Sequence, residues 1–292
     1  MTGSSINGWK WELALVMITA LWGWSFVAIH DALASMNSAT FTALRFLVAA
    51  AVMALILFPS LKDMSRRELT GGVAAGLALF AAVALQTEGL RFTSPSNASF
   101  ITGLAVIFTL PITFFFLGIH PSVQQVLGAL IATLGLAFLT AQDFSIRFGD
   151  LLVLGCALSF ASHIVILSRA SKGTHSGRIT LVQLVVVGLL GLVWSLGFGE
   201  FSMPASSETW VAVLVVGVAG TALGFYVQTK AQIQSPPSRI ALILVLEPVF
   251  GGLFGYWLAG DRLTPLNLFG AALILVGILA TEIRIRRLVR AG

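Results

Sequence analysis

Charge is what this 292-residue chain has least of: Asp, Glu, Lys and Arg together make up 10% of it, against about 25% in an ordinary soluble domain. With 57% hydrophobic residues there are too few polar groups to clothe a water-facing surface, which excludes a soluble globule. Cysteine is almost missing. The single Cys156 has no partner for an intrachain disulfide and lies in an apolar run, so it reads as a small packing residue, and a disulfide framework and a thiolate metal site are both excluded. The chain has no GxxxxGK[ST] phosphate loop, which leaves ATP hydrolysis without support, and no HExxH or cysteine-histidine ligand set, so no metal and no cofactor is expected. Ser162 and His163 are neighbours in sequence. Adjacent helical residues point about 100° apart, so the two cannot face each other as nucleophile and base, and no enzyme is expected. The sequon Asn97-Ala98-Ser99 opens an apolar run and is discounted as a glycosylation site.

What the chain does have is long uncharged stretches, among them Leu13 to Ile29, Ala98 to Ile119 and Thr209 to Thr229, each long enough to cross a hydrocarbon core of about 30 Å as a helix. Breaking the chain at charges, Pro, Gly and Asn/Asp clusters predicts ten spans, at 11–31, 38–58, 70–90, 96–118, 122–142, 149–168, 178–198, 208–230, 237–259 and 264–284. The tripeptide Ala32-Leu33-Ala34 resembles a signal-peptidase site, but the preceding run is long and equivalent spans follow, so the first span is expected to stay.

A net charge of +5 would suggest nucleic acid in a soluble protein; here the position of the cations explains it, and no nucleic-acid partner is expected. Of the 17 Lys and Arg, Arg91, Arg147 and Arg262 fall on one side of the membrane and Arg45 falls inside the second span. The remainder, from Lys10 and Lys62 to the terminal cluster Arg284 to Arg290, fall on the other side. That asymmetry places both termini in the cytoplasm and requires an even number of spans. Trp9, Trp11, Trp210 and Trp257 sit near predicted interfaces as an aromatic belt.

Laid on itself with an offset of 142, the chain aligns Gln86-Thr87 with Gln228-Thr229, Pro95-Ser96 with Pro237-Ser238, Gly118 with Gly260, Gly128-Ala129 with Gly270-Ala271, and Gly135 with Gly277. Two units follow, 1–142 and 143–292, each of five spans. An odd number forces the second unit into the membrane upside down. The expected fold is an all-α polytopic membrane protein with ten transmembrane helices, arranged as two inverted five-helix repeats around a central cavity. Such halves form a site reachable from either side by alternating access.

The residues at these matches resemble the ten-span EamA-type branch of the drug/metabolite transporter superfamily. The resemblance covers nearly the whole chain and rests on Leu21-Trp22-Gly23-x-Ser25-Phe26, Arg45-Phe46, Ser94-Pro95-Ser96-Asn97-Ala98, Glu247-Pro248 and Gly270-Ala271-Ala272-Leu273-Ile274-Leu275-x-Gly277. Within that family the chain is most similar to the YddG-type amino-acid exporters. The resemblance implies a bacterial inner-membrane exporter of amino acids or similar small metabolites, with a cavity lined by spans 1, 3, 4, 6, 8 and 9 and with spans 5 and 10 peripheral. One departure is plain: Glu247-Pro248 stands where the first half has Ala105-Val106, so symmetry there is structural and not chemical.

A charge at the bilayer centre costs roughly 3 kcal/mol, so the few in these spans should face a cavity or a partner. Glu247 is a candidate substrate or proton site, and Arg45 reads as a structural tie to backbone carbonyls or helix ends. Glu88 and Lys230 are repeat mates on opposite membrane faces, so no ion pair between them is expected. The uncharged candidates suit a small solute with polar and apolar parts: Trp22, Ser25, Gln86, Asn97, Ser99, Ser162, Tyr226 and Gln228. Gln86 and Gln228 lead, because each sits in an apolar span at the same place in its repeat, and an amide both donates and accepts. They also read as helix glue. His163, deep in a span, is a candidate for substrate binding or for coupling to protons, the candidate coupling ion, and reads equally as a neutral histidine bonded to a neighbouring helix. Glycines four apart at Gly72/Gly76, Gly220/Gly224 and Gly251/Gly255 are close-packing signals, and Pro111 and Pro248 mark kinks. A passive channel and a lipid flippase are the alternatives to a carrier.

Overall fold

The computed structural model describes residues 8–118, 120–140, 147–198, 201–234, 240, 243–244 and 246–282. Pro237-Ser238, Arg239 and the cluster Arg284 to Arg290 lie outside the described residues. Helices fill the expected places: α1 (Gly8–Ala32), α2 (Ser38–Leu57), α3 (Arg66–Gly89), α4 (Pro95–Gly103), α5 (Ala105–Leu117), α6 (Val123–Thr140), α7 (Phe148–Ala170), α8 (Ser176–Gly197), α9 (Ser207–Val215), α10 (Gly224–Gln234), α11 (Leu246–Leu258) and α12 (Pro265–Glu282). Among the described residues there is no strand. Seven of the apolar helical stretches are long enough by length and composition to cross a membrane, while the fifth, ninth and tenth spans are represented by the shorter α6, α11 and α12.

Local chemistry sets where these helices start and stop. The Asn37 side chain accepts from Thr40 N–H at 2.7 Å to cap α2, and the Ser94 hydroxyl accepts from Asn97 N–H at 3.2 Å with Pro95 at the first helical position of α4. Span 3 starts at Arg66, four residues before the sequence predicts. Ser65 and Glu68 form a capping box there, with Glu68 N–H donating to Ser65 Oγ at 3.2 Å and Ser65 N–H to Glu68 Oε2 at 2.8 Å, so the two arginines sit in the first turn. Span 4 is broken at Leu104 into α4 and α5, and Pro111 within α5 takes one further donor out of the helix. Gly118 and Gly260, repeat mates, both end their helices in the left-handed region, with φ of 67° and 70°.

The pattern of packing is unchanged when the halves are exchanged. Span 2 packs on span 7, span 4 on span 9, and span 5 on span 10, each an element against its own mate; span 3 packs on span 6 as span 8 packs on span 1. The 5–10 crossing shows this at atomic level. A Cβ placed on Gly135 would meet Gly270 O and Ile274 N, and one placed on Gly277 would meet Gly128 O and Ala132 N, which are the mates of the first pair. The chain is therefore an integral membrane protein built as two inverted five-span repeats.

Large apolar side chains such as Leu55, Phe115 and Val193 are two-thirds or more exposed on the outside of this bundle, which is what a lipid-facing surface requires. Glycine lets the buried helices close in. Gly72 and Gly76 of α3 lie against Val182 and Val186 of α8, and Gly251 of α11 lies against Ser99 of α4. Glu88 pairs with Arg91 at 2.8 Å and accepts from Ser38, while the Lys230 ammonium stands 5.8 Å from the centre of the Trp11 ring, so these two mates do not meet. At the first turns of spans 3 and 7, Arg178 of α8 donates to both carboxylate oxygens of Glu68 of α3, at 2.9 and 3.0 Å, and His175 N–H adds a third bond to Glu68 at 2.7 Å.

Candidate functional site

A cavity with about 660 Å³ of empty space, its open mouth included, lies between the two halves. Its wall draws on spans 1, 3, 4, 6, 8 and 9, with Arg45 added from span 2. Several lining positions are mates at the 142 offset: Trp22 with Ile164, Gln86 with Gln228, Thr102 with Leu244, Ala105 with Glu247, and Val106 with Pro248. The cavity thus sits on the pseudo-twofold axis, yet only the glutamine pair is chemically symmetric. Each other pair differs in size, polarity or charge, so a bound solute meets two unlike ends.

The apolar wall is aromatic. Phe225 of α10 lies 5.5 Å from Trp22 and 6.1 Å from Phe46, centroid to centroid, and Phe26 and Phe160 join Trp22 and Phe225 in lining the space. The polar groups are set into this wall. Gln86 is buried and donates through Nε2 to Thr102 Oγ1 at 3.4 Å; the Ser25 hydroxyl donates to Trp22 O at 2.7 Å, and the Trp22 indole N–H donates to Gly220 O at 2.6 Å.

Two charged residues set within spans, Arg45 and Glu247, face this cavity. Arg45 is 4% exposed; its Nε–H donates to Thr221 Oγ1 at 2.7 Å, and its two terminal nitrogens have no hydrogen-bond partner among the described residues. The Glu247 carboxylate has none there either, and the two side chains line the same cavity without a direct ion pair among the described residues. Arg45 therefore differs from the tie to carbonyls that the sequence suggests: its bond is to a hydroxyl, and the outer end of its guanidinium is left for the cavity.

The ten candidates divide evenly. Trp22, Ser25, Gln86, Gln228 and Glu247 line the cavity. Asn97, Ser99, Ser162, His163 and Tyr226 lie outside its wall, and most are engaged by neighbours. Ser99 donates to Pro248 O at 3.2 Å across the contact between spans 4 and 9, and Ser162 donates to Leu158 O at 3.0 Å within its own helix. His163 is fully buried behind Phe225 and donates through Nε2 to Gln183 Oε1 at 2.7 Å; the Gln183 amide donates in turn to Ile179 O, which fixes its orientation. Tyr226 packs edge-on against Trp11 at 5.9 Å, and Asn97 is half-buried in the first turn of α4. Arg45, Phe160 and Phe225 are cavity residues that the sequence reading left out of the site. Arg45 carried a signal, as a charge in a span; the two phenylalanines are indistinguishable in sequence from ordinary packing residues.

Among the described residues, no cluster of three or more His, Cys, Asp and Glu side chains is placed to hold a metal ion. Two inverted helical units enclosing a cavity with polar groups set into an apolar wall define a membrane transporter. The chain belongs to the EamA-like transporter family, which matches residues 9–141 and again residues 147–282. It is 28% identical over 274 residues to an uncharacterized transporter of Archaeoglobus fulgidus, covering 94% of this chain and 86% of that one. It is 23% identical over 298 residues to a protein of Escherichia coli named as a probable amino-acid metabolite efflux pump, covering 95% and 97%. A solved crystal structure at 19% identity superposes with a TM-score of 0.70, covering 92% of this chain and 95% of the other, a likeness of fold.

Proposed function

We propose that this chain is a secondary, alternating-access transporter that exports amino acids, aromatic and apolar ones included, or similar small metabolites across a bacterial inner membrane, with both termini in the cytoplasm. The observation that carries the reading is one cavity on the pseudo-twofold axis in which Gln86 and Gln228 are joined by two opposite charges, Arg45 and Glu247. An amino acid is a zwitterion with an apolar appendage. Its carboxylate suits Arg45, its ammonium suits Glu247, the amides serve either group, and the aromatic wall takes the side chain. The units 1–142 and 143–292 act as the two bodies that rock about the site, and the name borne by the Escherichia coli relative is consistent with this substrate class. Neither ATP nor a metal enters the cycle.

The test is uptake of labelled amino acids into proteoliposomes over a range of concentrations, with and without an imposed pH gradient. The expected result is saturable flux that falls sharply in both Gln86→Ala and Gln228→Ala. Dependence on the gradient would make protons the coupling ion, with Glu247 the group in the cavity able to carry one. Flux that never saturates would mean a channel, and lipid scrambling without amino-acid flux would mean a flippase.

A further inference from the structure

The eighth span is not one continuous α-helix. Between α9 and α10, residues Val216–Leu223 form a π-helical segment, a geometry rare in proteins and concentrated at functional sites. Its mate in the first half, α3, runs without interruption from Arg66 to Gly89, so the insertion is one-sided. Two of its groups hold cavity residues of the other half. Gly224 N–H reaches back to Ala219 O, five residues away, and Gly220 O, the carbonyl one residue later, accepts the Trp22 indole N–H at 2.6 Å. The Thr221 hydroxyl donates to Val216 O at 2.8 Å, also five residues back, which directs its lone pairs toward Arg45, whose Nε–H it accepts at 2.7 Å. Glycine makes the fit possible: a Cβ on Gly224 would lie 2.9 Å from the Trp22 indole nitrogen, and one on Gly217 would lie 3.0 Å from Arg45 O.

We infer that this π-helical segment is the specificity element of the transporter and that Thr221 is its positioning residue. By taking Nε–H, Thr221 fixes the plane of the Arg45 guanidinium and leaves the two terminal nitrogens, side by side, for a bidentate bond to the substrate's carboxylate. The inference rests on the amino-acid reading above and deepens it: the chain requires a free carboxylate, and Thr221, which need not touch the substrate, sets how strictly. Position 79, the mate of Thr221, is Leu, so the first half offers no second carboxylate site of this kind.

The experiment measures equilibrium binding of labelled phenylalanine to the purified protein and its displacement by unlabelled phenylalanine and by phenylalaninamide, which keeps the ammonium and the ring but lacks the carboxylate. Wild type should prefer the acid at least tenfold. Thr221→Val, close in shape but without the hydroxyl, should lose most of that preference while binding the amide as wild type does; Thr221→Ser, which restores the acceptor, should recover it. The ratio of the two affinities does not depend on how much of a preparation is folded. An unchanged ratio in Thr221→Val would overturn the role of Thr221 and leave the amino-acid reading standing. Wild-type protein that binds neither compound would overturn both.

Discussion

Alanine at Gly135 and Gly277, singly and together, tests the twofold crossing of α6 and α12. A Cβ on Gly135 would lie 2.6 Å from Gly270 O and 2.7 Å from Ile274 N; one on Gly277 would lie 2.5 Å from Gly128 O and 2.6 Å from Ala132 N. All four neighbours are backbone atoms, which no rotamer change can move aside. The helices must therefore separate by about 0.5–1 Å, a gap that forfeits about a quarter to a half of the dispersion energy of each contact along the seam. Each substitution should cost about 1–3 kcal/mol, as overpacking does elsewhere. Both act on the same interhelical distance, so the separation forced by the first makes room for the second, and the double variant should cost about 1 kcal/mol less than the sum. Neither helix lines the cavity, so transport per folded molecule should hardly change. Reversible unfolding in mixed micelles, followed by circular dichroism, measures all three variants. Additivity within about 0.5 kcal/mol, or free tolerance at one glycine and not at the other, would refute a shared symmetric contact.

Gln86→Ala and Gln228→Ala should each lower amino-acid uptake at least tenfold with little loss of folded protein; unchanged uptake in both would mean that the amides only join helices. Arg45→Lys keeps the charge but loses the planar fork, and should weaken amino-acid binding about tenfold, as read by displacement of labelled substrate. Removing either Glu68 or Arg178 leaves the other without its ion-pair partner. Each alanine variant should be destabilised by about 1–3 kcal/mol in micelle unfolding, Arg178→Ala the more because it strands the more deeply buried Glu68, with the double variant well short of the sum.

The ten-span plan and its inversion were legible because they depend on quantities that survive in one dimension: the length of uncharged runs, the side on which Lys and Arg collect, and glycines whose spacing repeats. Gly135 and Gly277 align at the 142 offset, and they meet each other's neighbours in space. The site was half legible. Polarity inside an apolar span singles out Gln86 and Gln228, which reach the cavity, and His163 and Ser99 equally well, although those two are engaged by Gln183 and Pro248. Which polar groups are satisfied by neighbours depends on how helices face one another, and no local pattern records it. The π-helical segment was hidden for a related reason. Val216–Leu223 reads as any small, apolar stretch of helix, and what distinguishes it is where Trp22 and Arg45 place their donors.

The most direct test of alternating access around one cavity is counterflow. Proteoliposomes loaded with unlabelled amino acid are diluted into a trace of the labelled compound, beside unloaded and protein-free vesicles. A carrier whose single site turns from one side to the other should take up label faster in the loaded vesicles and overshoot equilibrium before relaxing. Equal uptake with and without the internal amino acid, at concentrations where flux has saturated, would contradict it.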